Sequence, residues 1–447
     1  MRVIIVGAGE VGYHLAERLS QENQDVVIVE ADPEGAERAS ELLDVMTVVG
    51  NGASIPVLEK AGIRGARILM AVTSQDEVNL ISCLAATRLG VDYTIARVSN
   101  PDYYAAGSVL SRERLGIDLM INPEREAAME AFQLLQSAAA TDVAIFAGGK
   151  VQLVGLVVRD GAPVAGKSVA RLAAELKEFH FILVAIVRDG ETTIPDGSSR
   201  IESGDHIYVL SPSSEVASIP PLAGYEPFHL KRVMIAGGSA EGLYLAEMLE
   251  EHGIECTILD NDRRRCLELS EALPKSLVLH GDATDTELLE MEGVSGLDGY
   301  VAATGHDETN LLSGLVAKSI GARKVVSLIE KFDYLPLVAK VGLDAAVSPR
   351  MSAVNAILRY VRRGRVMTVA TLKGSEAEAI EFKVVRESPI ANKLISELPF
   401  PPGGIIGTII RGETILMPRG DTVVLPGDEV IVFALPEALP EIEKFFD

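Results

Sequence analysis

The chain is poor in cysteine and tryptophan, and acidic residues far outnumber basic ones. Its three cysteines, Cys83, Cys256 and Cys266, are scattered through 447 residues without CxxC spacing. We therefore expect buried apolar thiols and neither a disulfide framework nor a zinc site. The 64 acidic against 41 basic residues give a net charge of −23. Because this charge repels a phosphate backbone, the composition argues against nucleic-acid binding.

Long hydrophobic runs are also missing. The most apolar stretches, residues 151–158 and 181–187, are strand-length and far short of the roughly 20 residues that span a bilayer. The N-terminus enters a strand and turn pattern directly, without a separable apolar segment before a cleavage site, so no signal peptide is expected. These features predict a cytoplasmic protein with no membrane insertion.

What the sequence does contain is a repeat of about half its length. The segment VIIVGAGEVGYHLAERL at 3–19 matches VMIAGGSAEGLYLAEML at 233–249, and TSQDEVNL at 73–80 matches TGHDETNL at 304–311. Each long copy is followed by a shorter β-rich module, since 189–210 resembles 411–433. Self-similarity at this period predicts two copies of a two-module unit.

The periodicity predicts an α/β protein. In each long copy, short apolar strands alternate with amphipathic helices, which indicates a Rossmann-like, doubly wound parallel sheet. Each shorter module, with turn residues between β-branched runs, is typical of a small α+β domain. A segment rich in proline and serine, 211–229, is predicted as a linker. The predicted domains are 1–140, 141–225, 226–365 and 366–447.

The first strand leads into a GxGxxG sequence formed by Gly7, Gly9 and Gly12, and Glu30 ends the second strand. Glycines here permit a tight turn and close approach of a phosphate to the helix N-terminus, while an acid about 20 residues on accepts the ribose hydroxyls. A tight turn without ligand is the alternative. Because Glu30 repels a 2′-phosphate, NAD(H) or an adenine nucleotide is favoured over NADP(H).

The second copy retains this pattern in altered form. Gly237, Ser239 and Gly242 stand at the glycine positions and Asp260 at the acidic one. These residues predict a second nucleotide site. A serine at the position nearest the phosphates narrows the approach, so an altered or empty second site is the alternative. The run RRR at 263–265 suggests a 2′-phosphate pocket, but beside Asp260 it is interpreted as a solvated first helical turn.

The repeated stretch at 73–80 follows the fourth strand, at the edge where doubly wound sheets bind ligands. A capping box of Ser74 with Glu77 is one interpretation. Its recurrence in the second copy favours a cap combined with a ligand site. Polar residues after the third strand are expected near an adenine. The residues selected on these grounds are Thr73, Ser74, Asp76 and Asn51, with Asn79 beside them, and Thr304, Asp307 and Asp282, with Asn310.

The duplicated GAGEVG, GNGAS/GDATD, TSQDEVN/TGHDETN and IARVSNPDY segments resemble the RCK or KTN family of potassium-transport regulatory domains. The resemblance covers essentially the whole chain and is to the tandem form found in the peripheral subunit of bacterial Trk uptake systems. It implies a regulatory subunit that binds NAD(H) and ATP or ADP and self-associates as a homodimer or homotetramer. It also implies docking on a Trk-type membrane-embedded potassium channel subunit, at the cytosolic face of the inner membrane.

By position, the resemblance extends the candidate sites to whole loops. In the first copy it adds Ala8, Glu10, Val11 and Arg97, and in the second it adds Gly238, Ala240 and Glu241. Arg97 ends the fifth strand, where a guanidinium suits bidentate phosphate recognition. A surface salt bridge with Asp102 is the alternative. Leu328 stands opposite Arg97 in the second copy, so equal binding at both sites is not expected.

The sequence is compatible with two other functions. An NAD-dependent oxidoreductase needs a proton donor or acceptor beside its substrate. The chain offers no tyrosine followed four residues later by lysine, and no HExxH, nucleophile elbow or P-loop. We therefore expect no enzymatic activity. A free-standing cytoplasmic nucleotide sensor without a membrane partner is the other alternative.

Overall fold

The computed structural model describes residues 1–104, 110–136, 140–176, 180–226, 230–361, 366–371 and 377–446. Four sheets succeed one another along the chain, two parallel and two antiparallel. The predicted α/β class, with Rossmann-like sheets alternating with small α+β modules, is confirmed.

The first sheet is parallel, with strand order β3-β2-β1-β4-β5-β6. Its central strands β1, β2 and β4 are short apolar runs, largely buried because helices cover both faces, whereas the edge strand β3 is mostly exposed. The order reverses between β1 and β4, which places the carboxyl ends of these two strands beside an open crevice. The strands are β1 Arg2–Val6, β2 Asp25–Glu30, β3 Met46–Val49, β4 Ile68–Ala71, β5 Tyr93–Arg97 and β6 Leu119–Ile121. The helices are α1 Glu10–Gln21, α2 Pro33–Leu42, α3 Ile55–Lys60, α4 Asp76–Arg88, α5 Arg112–Leu115 and α6 Pro123–Gln136.

The first antiparallel sheet follows, in the order β10-β9-β11-β8-β7. Its strands are β7 Ala140–Phe146, β8 Val151–Val157, β9 Ile182–Arg188, β10 Glu191–Thr193 and β11 His206–Pro212, with helices α7 Val169–Glu175 and α8 Ile219–Leu222. The linker prediction for 211–229 is wrong over its described part. Ser211 and Pro212 end β11, and Ile219 and Ala223 are buried in the core of this module, because the apolar residues of the segment pack beneath the sheet.

The second parallel sheet repeats the first, in the order β14-β13-β12-β15-β16-β17. Its strands are β12 Arg232–Ala236, β13 Glu255–Asp260, β14 Leu277–His280, β15 Gly299–Ala302, β16 Lys324–Leu328 and β17 Ala345–Val347. Its helices are α9 Ala240–Glu251, α10 Arg263–Ala272, α11 Thr286–Met291, α12 Asp307–Ile320, α13 Leu335–Lys340 and α14 Pro349–Val361.

The second antiparallel sheet has the order β18-β19-β22-β20-β21. Its strands are β18 Val366–Thr371, β19 Glu378–Lys383, β20 Gly404–Arg411, β21 Thr414–Leu416 and β22 Glu429–Ala434, and α15 Leu439–Phe446 follows. The two antiparallel sheets share a core in which Val184 and Leu210 lie with Ile431 and Phe433. Gly407 allows this packing, because a Cβ there would lie 2.3 Å from Leu210.

Two compact units divide the chain, and they do not follow its order. One comprises Met1–Ala127 and Ser348–Val361, and the other comprises Ala128–Val347 and Arg362–Asp447. In the first unit, Val354 and Ile357 of α14 share a core with Val11 and Leu15 of α1. The second unit holds the end of α6, where the Phe132 ring packs on His252 at 4.6 Å between centroids. Each parallel sheet is therefore grouped with part of a helix from the other half of the sequence.

Candidate functional site

The loop between β1 and α1 is built on two glycines that the protein itself requires. Gly7 has φ +104°, and its N–H donates to Val29 O at 2.8 Å. A Cβ on Gly12 would lie 1.9 Å from Gly7 O, so only glycine lets the helix approach the strand this closely.

Gly9, by contrast, is not required by the packing of any described neighbour. It is the N-cap of α1, with φ −63° and ψ 178°, a conformation open to any residue. A Cβ at Gly9 would meet no described atom within 4 Å. The first turn of a helix leaves N–H groups without partners inside the helix. The loop therefore keeps open space in front of a helix N-terminus suited to an anion.

Glu30 folds over this loop from the end of β2. One carboxylate oxygen accepts from Ala8 N at 2.5 Å, and the other accepts from Asp32 N at 2.9 Å. The acid is thus fixed beside the glycine loop, while each oxygen retains a further lone pair for a hydroxyl donor. The side chains of Ala8 and Val11 are buried in the core. Any ligand contact from these two residues therefore comes from their backbone.

The repeated TSQDEVNL stretch ties the ends of two strands together. Thr73 N and Oγ1 both donate to Asn79 Oδ1, at 2.9 and 2.7 Å. Asn79 Nδ2 donates to Thr73 O and to Arg97 O, each at 2.9 Å. Asn79 is fully buried, so this one amide satisfies the backbone at the carboxyl ends of β4 and β5.

Asp76 has a similar scaffolding contact. Its carboxylate accepts from Ser99 N at 3.1 Å and from Asn100 N at 2.8 Å, in the loop after β5. The helix α4 begins at Asp76 with Gln75 as N-cap, which makes no side-chain cap bond, and Ser74 is exposed. The capping-box interpretation is wrong, because the helix starts too late for Ser74 to cap it.

Arg97 lies at the same edge of the sheet and faces the start of α6. Its guanidinium is 4.0 Å from Glu124 Oε1, which also accepts from Ser99 Oγ at 3.0 Å. The alternative pairing with Asp102 is therefore not the one formed. A separation of 4.0 Å is an ion pair without a short hydrogen bond, so the guanidinium retains donors for another anion.

Glu10, at the first position of α1, pairs with a residue that sequence reasoning did not select. Arg350, near the start of α14, places its Nη1 against Glu10 Oε2. Both residues belong to the first compact unit. No local signal marks Arg350, because it approaches the glycine loop only through the packing of α14 on α1.

The polar residues after the third strands close local turns. Asn51 is exposed and its Oδ1 accepts from Ala53 N at 2.8 Å. Asp282 Oδ1 accepts from Thr284 N and Oγ1, both at 2.8 Å, and these bonds lower the pKa of Asp282. Both side chains follow the third strand of their sheets, and their position near an adenine stays a prediction.

The second copy reproduces the glycine turn. Gly237 has φ +113°, and a Cβ on Gly242 would lie 2.3 Å from Gly237 O. Asp260 accepts from Gly238 N at 2.6 Å and from Asp262 N at 2.7 Å, as Glu30 does in the first copy. At the position of Gly9, however, Ser239 Oγ accepts from Gly242 N at 3.2 Å. Ala240 and Glu241 begin α9.

The strand tie also recurs. Thr304 N and Oγ1 donate to Asn310 Oδ1, both at 2.8 Å, and Asn310 Nδ2 donates to Leu328 O at 2.9 Å. Asp307 accepts from Glu330 N and Lys331 N, both at 2.9 Å. The repetition of threonine, aspartate and asparagine is thus explained by one structural task performed in each sheet.

Arg265 was interpreted from the sequence as part of a solvated helical turn, and that interpretation is wrong for this residue. Its Nε donates to Gly238 O at 2.6 Å, and its Nη1 pairs with Glu268 at 3.0 Å. Its neighbours Arg263 and Arg264 are exposed. Whether an arginine side chain of this turn reaches the glycine loop or solvent depends on the position of the loop. The sequence alone does not show that position.

The prediction of buried thiols is confirmed for Cys83, Cys256 and Cys266. Burial raises the pKa of Cys83, and it raises the pKa of Cys256 to about 12. Within the described ranges, no group of three or more His, Cys, Asp or Glu side chains is arranged to hold a metal ion. Among those same residues, no helix combines the length and apolarity needed to cross a bilayer.

Comparison with known proteins places this geometry in a family. The TrkA-N domain model matches residues 3–123 and 233–349, and the TrkA-C domain model matches 153–223 and 379–447. The chain is 38% identical over 454 residues to the Trk system potassium uptake protein TrkA homolog 1 of Methanosarcina mazei, covering all of both chains.

Two solved structures share the fold. The GsuK RCK domain superposes with a TM-score of 0.60 at 20% identity, covering 100% of this chain and 94% of that one. The GsuK channel bound to NAD gives a TM-score of 0.61 at 20% identity, covering 100% of this chain and 78% of that one. With the tandem domain matches and the full-length relative, these findings show that the chain belongs to the TrkA family of Trk-system potassium uptake proteins.

Proposed function

We propose that this protein is a cytosolic nucleotide-binding regulatory subunit that gates a membrane potassium uptake channel or transporter in response to NAD(H) or ATP/ADP. The observation that carries the proposal is the open space at Gly9, where an added Cβ would meet no described atom within 4 Å. The fold does not need glycine at this position, yet glycine keeps open the space in front of the α1 N-terminus. A phosphate is the group that such a space and such a helix end suit best.

Glu30 supports a ligand with free ribose hydroxyls. Its carboxylate is fixed beside the loop by Ala8 N and Asp32 N. A 2′-phosphate would bring up to about two negative charges against it, so NADP(H) is disfavoured. The solved GsuK channel is bound to NAD, which is consistent with this ligand class for a protein of the same fold.

The path from ligand to response runs through α6. Glu124, in the first turn of α6, forms an ion pair with Arg97 and accepts a hydrogen bond from Ser99 Oγ. Both contacts lie at the carboxyl edge of the first sheet, where the nucleotide is proposed to bind. The later residues of the same helix belong to the other compact unit. A ligand phosphate that draws Arg97 away from Glu124 changes the environment of the helix start. Such a ligand shifts a conformational equilibrium only if it binds the two states with different affinity.

The remaining parts of the proposal concern organisation and partners. The chain is divided into domains at 1–140, 141–225, 226–365 and 366–447. It self-associates as a homodimer or homotetramer and docks on a Trk-type membrane subunit at the cytosolic face of the inner membrane. A full-length relative is named as a Trk system potassium uptake protein, and this supports a Trk-type membrane partner.

The test is a calorimetric titration of the full chain with NAD⁺, NADH, NADP⁺, ATP and ADP. We expect binding of NAD(H) and adenine nucleotides, with NADP⁺ at least about tenfold weaker than NAD⁺, a difference of about 1.4 kcal/mol. Potassium flux through liposomes holding the membrane subunit should then change when the chain and a bound nucleotide are added together. Absence of binding by every nucleotide, or flux that ignores the nucleotide, contradicts the proposal.

A further inference from the structure

The two parallel sheets of this protein allow a comparison at equivalent positions, because one chain contains both. In the first copy Gly35 stands over Glu30, where an added Cβ would lie 3.4 Å from Glu30 Cγ. The equivalent residue of the second copy, 230 positions later, is Arg265. A position without a side chain in the first copy thus carries an arginine side chain in the second.

Arg265 lies across the second glycine loop. Its Nε–H donates to Gly238 O at 2.6 Å, and a Cβ on Gly238 would lie 3.2 Å from Arg265 Cγ. The N–H of the same Gly238 donates to Asp260. The N–H and the C=O of Gly238 therefore both have hydrogen-bond partners within the protein. They lie on the side of the loop where the ribose of a dinucleotide contacts the acid.

Ser239 acts at the other end of the loop. Its hydroxyl accepts from Gly242 N at 3.2 Å and so caps α9. Gly9 leaves the equivalent helix end of the first copy uncapped by any side chain. The second copy also has Leu328, buried at the end of β16, where the first has the cation Arg97.

We propose that Arg265 and Ser239 are the specificity-determining residues of the second copy, and that they close its loop to NAD(H). Arg265 occupies the ribose side of the loop, and the Ser239 hydroxyl occupies a helix N–H that would otherwise face the pyrophosphate. A dinucleotide can enter only by breaking both contacts, and a charge-assisted bond such as that of Arg265 is the stronger kind. This inference rests on the proposed function, in that the first copy supplies the open reference site.

The test is to open the second site by giving it the residues of the first. Full-length wild type and Ser239→Gly/Arg265→Gly are titrated calorimetrically with NAD⁺. We expect a stoichiometry of about one per chain for wild type and about two for the double variant, with the new site at least about tenfold tighter than in wild type. Arg264→Gly is the matched control, because Arg264 lies in the same helical turn, is 88% exposed and pairs with Glu268 on its own helix.

A Gly9→Val background isolates the second site. Gly9→Val alone should bind no NAD⁺, whereas Gly9→Val with Ser239→Gly/Arg265→Gly should regain binding. Ser239→Ala/Arg265→Ala removes the same two polar groups without adding glycine to α10. This pair keeps the test valid if the glycine variant unfolds, as thermal denaturation would show.

The outcomes separate this inference from the proposed function. Two equal NAD⁺ sites in wild type, or no new site in either opened variant, overturn the inference and leave first-site binding intact. Binding that appears only in the opened variants, with none in wild type, supports the inference and overturns the proposed role of the first site. An Arg264→Gly chain that gains a site also overturns the inference.

Discussion

The Arg350 guanidinium forms an ion pair with the Glu10 carboxylate, although the two residues come from opposite halves of the sequence. Glu10 directly follows Gly9, so this pair borders the space in which a phosphate is proposed to bind. Arg350 reaches it because α14 packs on α1 within the first compact unit. A residue from the second half of the chain thereby neutralises the Glu10 carboxylate beside the first site.

Arg350→Ala should weaken nucleotide binding more than it weakens the fold. The pair is about one-third exposed on the arginine side, so its loss should cost at most about 1 kcal/mol of unfolding free energy. The unpaired Glu10 then repels a phosphate, and affinity for ATP should fall about threefold to tenfold. Calorimetry and urea denaturation measure the two effects.

Two further variants complete this experiment. Glu10→Gln/Arg350→Ala should restore part of the lost affinity, because it removes the unpaired negative charge. Arg2→Ala breaks a comparable exposed pair with Asp25 at the opposite edge of the sheet, so it should leave nucleotide affinity unchanged. Equal loss of affinity in Arg2→Ala would mean that the effect is not local to the site.

Asn79→Ala should destabilise the first unit by about 2–3 kcal/mol, because it leaves backbone groups of Thr73 and Arg97 without their partner. Asn310→Ala should have an effect of similar size, since its amide makes the same tie in the second sheet. Asn100→Ala is the control, because the Asn100 side chain accepts a hydrogen bond from Asp102 N in an exposed turn, and the backbone N–H that it donates to Asp76 is kept in alanine. Denaturation midpoints that match the control for both variants would contradict the scaffolding role.

Gly9 and Gly12 should respond oppositely to an added side chain. Gly9→Val has room and an allowed backbone conformation, so stability should change by less than about 1 kcal/mol while nucleotide affinity falls at least about 100-fold. Gly12→Ala places Cβ against Gly7 O, so it should destabilise the fold by about 1–3 kcal/mol. Circular dichroism melts with calorimetry distinguish these results. A Gly9→Val protein with normal binding would remove the loop from the site.

Arg97→Ala should weaken ATP binding more than NAD⁺ binding, because a guanidinium acts most strongly on the ligand with the most terminal phosphate charge. Glu124→Gln should raise ATP affinity about twofold to fivefold, since it releases Arg97 from its partner. Arg67→Ala, which breaks the exposed pair with Asp92, is the control. Equal losses for ATP, ADP and NAD⁺ in Arg97→Ala would reduce Arg97 to a scaffold residue.

Acid should destabilise the first antiparallel module through Asp205. Burial raises the pKa of Asp205, but bonds from Arg188 and from Glu202 N outweigh it and lower the pKa below its ordinary value. A lowered carboxyl pKa contributes stability that is present above the unfolded value of about 3.9 and is lost as pH falls through the folded value. Asp205→Asn should therefore cost about 1–2 kcal/mol at pH 7, with a smaller cost below about pH 4.

The pH series needs one reference. Asp196→Asn, in an exposed serine turn of the same module, provides it. Hydrogen bonds from Ser198 and Ser199 lower the pKa of Asp196, so this variant shows the pH dependence of a carboxylate that has no arginine partner among its described contacts. Unfolding free energies of the three proteins at several pH values measure the difference. A cost of Asp205→Asn that stays constant down to about pH 3 would contradict the role of the ionised pair.

Much of the site could be predicted because its signals are local. The glycines Gly7, Gly9 and Gly12 come directly after β1, and Glu30 ends β2, at spacings typical of a strand, turn and helix arrangement. The structure places all four around one loop. The TSQDEVNL repeat was correctly located at the strand edge. Its cause was not predicted, because the partner of Asn79 is Arg97 O on another strand, beyond the range of helix-capping patterns.

The segment at 211–229 shows the opposite failure. Proline and serine favour a linker locally, yet Ile219 and Ala223 pack in the module core over the part that the structure describes. Burial of apolar side chains outweighs the local preference, since each buried aliphatic group contributes on the order of 1 kcal/mol or more. Composition cannot show which apolar residues will find a core.

The sequence by itself determined the repeat, the two parallel sheets, the glycine turns and the acid at the end of each second strand. These follow from periodicity and from steric limits that act within a few residues. Only the tertiary structure decided that Arg350 pairs with Glu10, that Arg265 covers the second loop and that α14 belongs with the first sheet. Those contacts join residues on different elements, so they depend on the path of the whole chain and on which surfaces pack together.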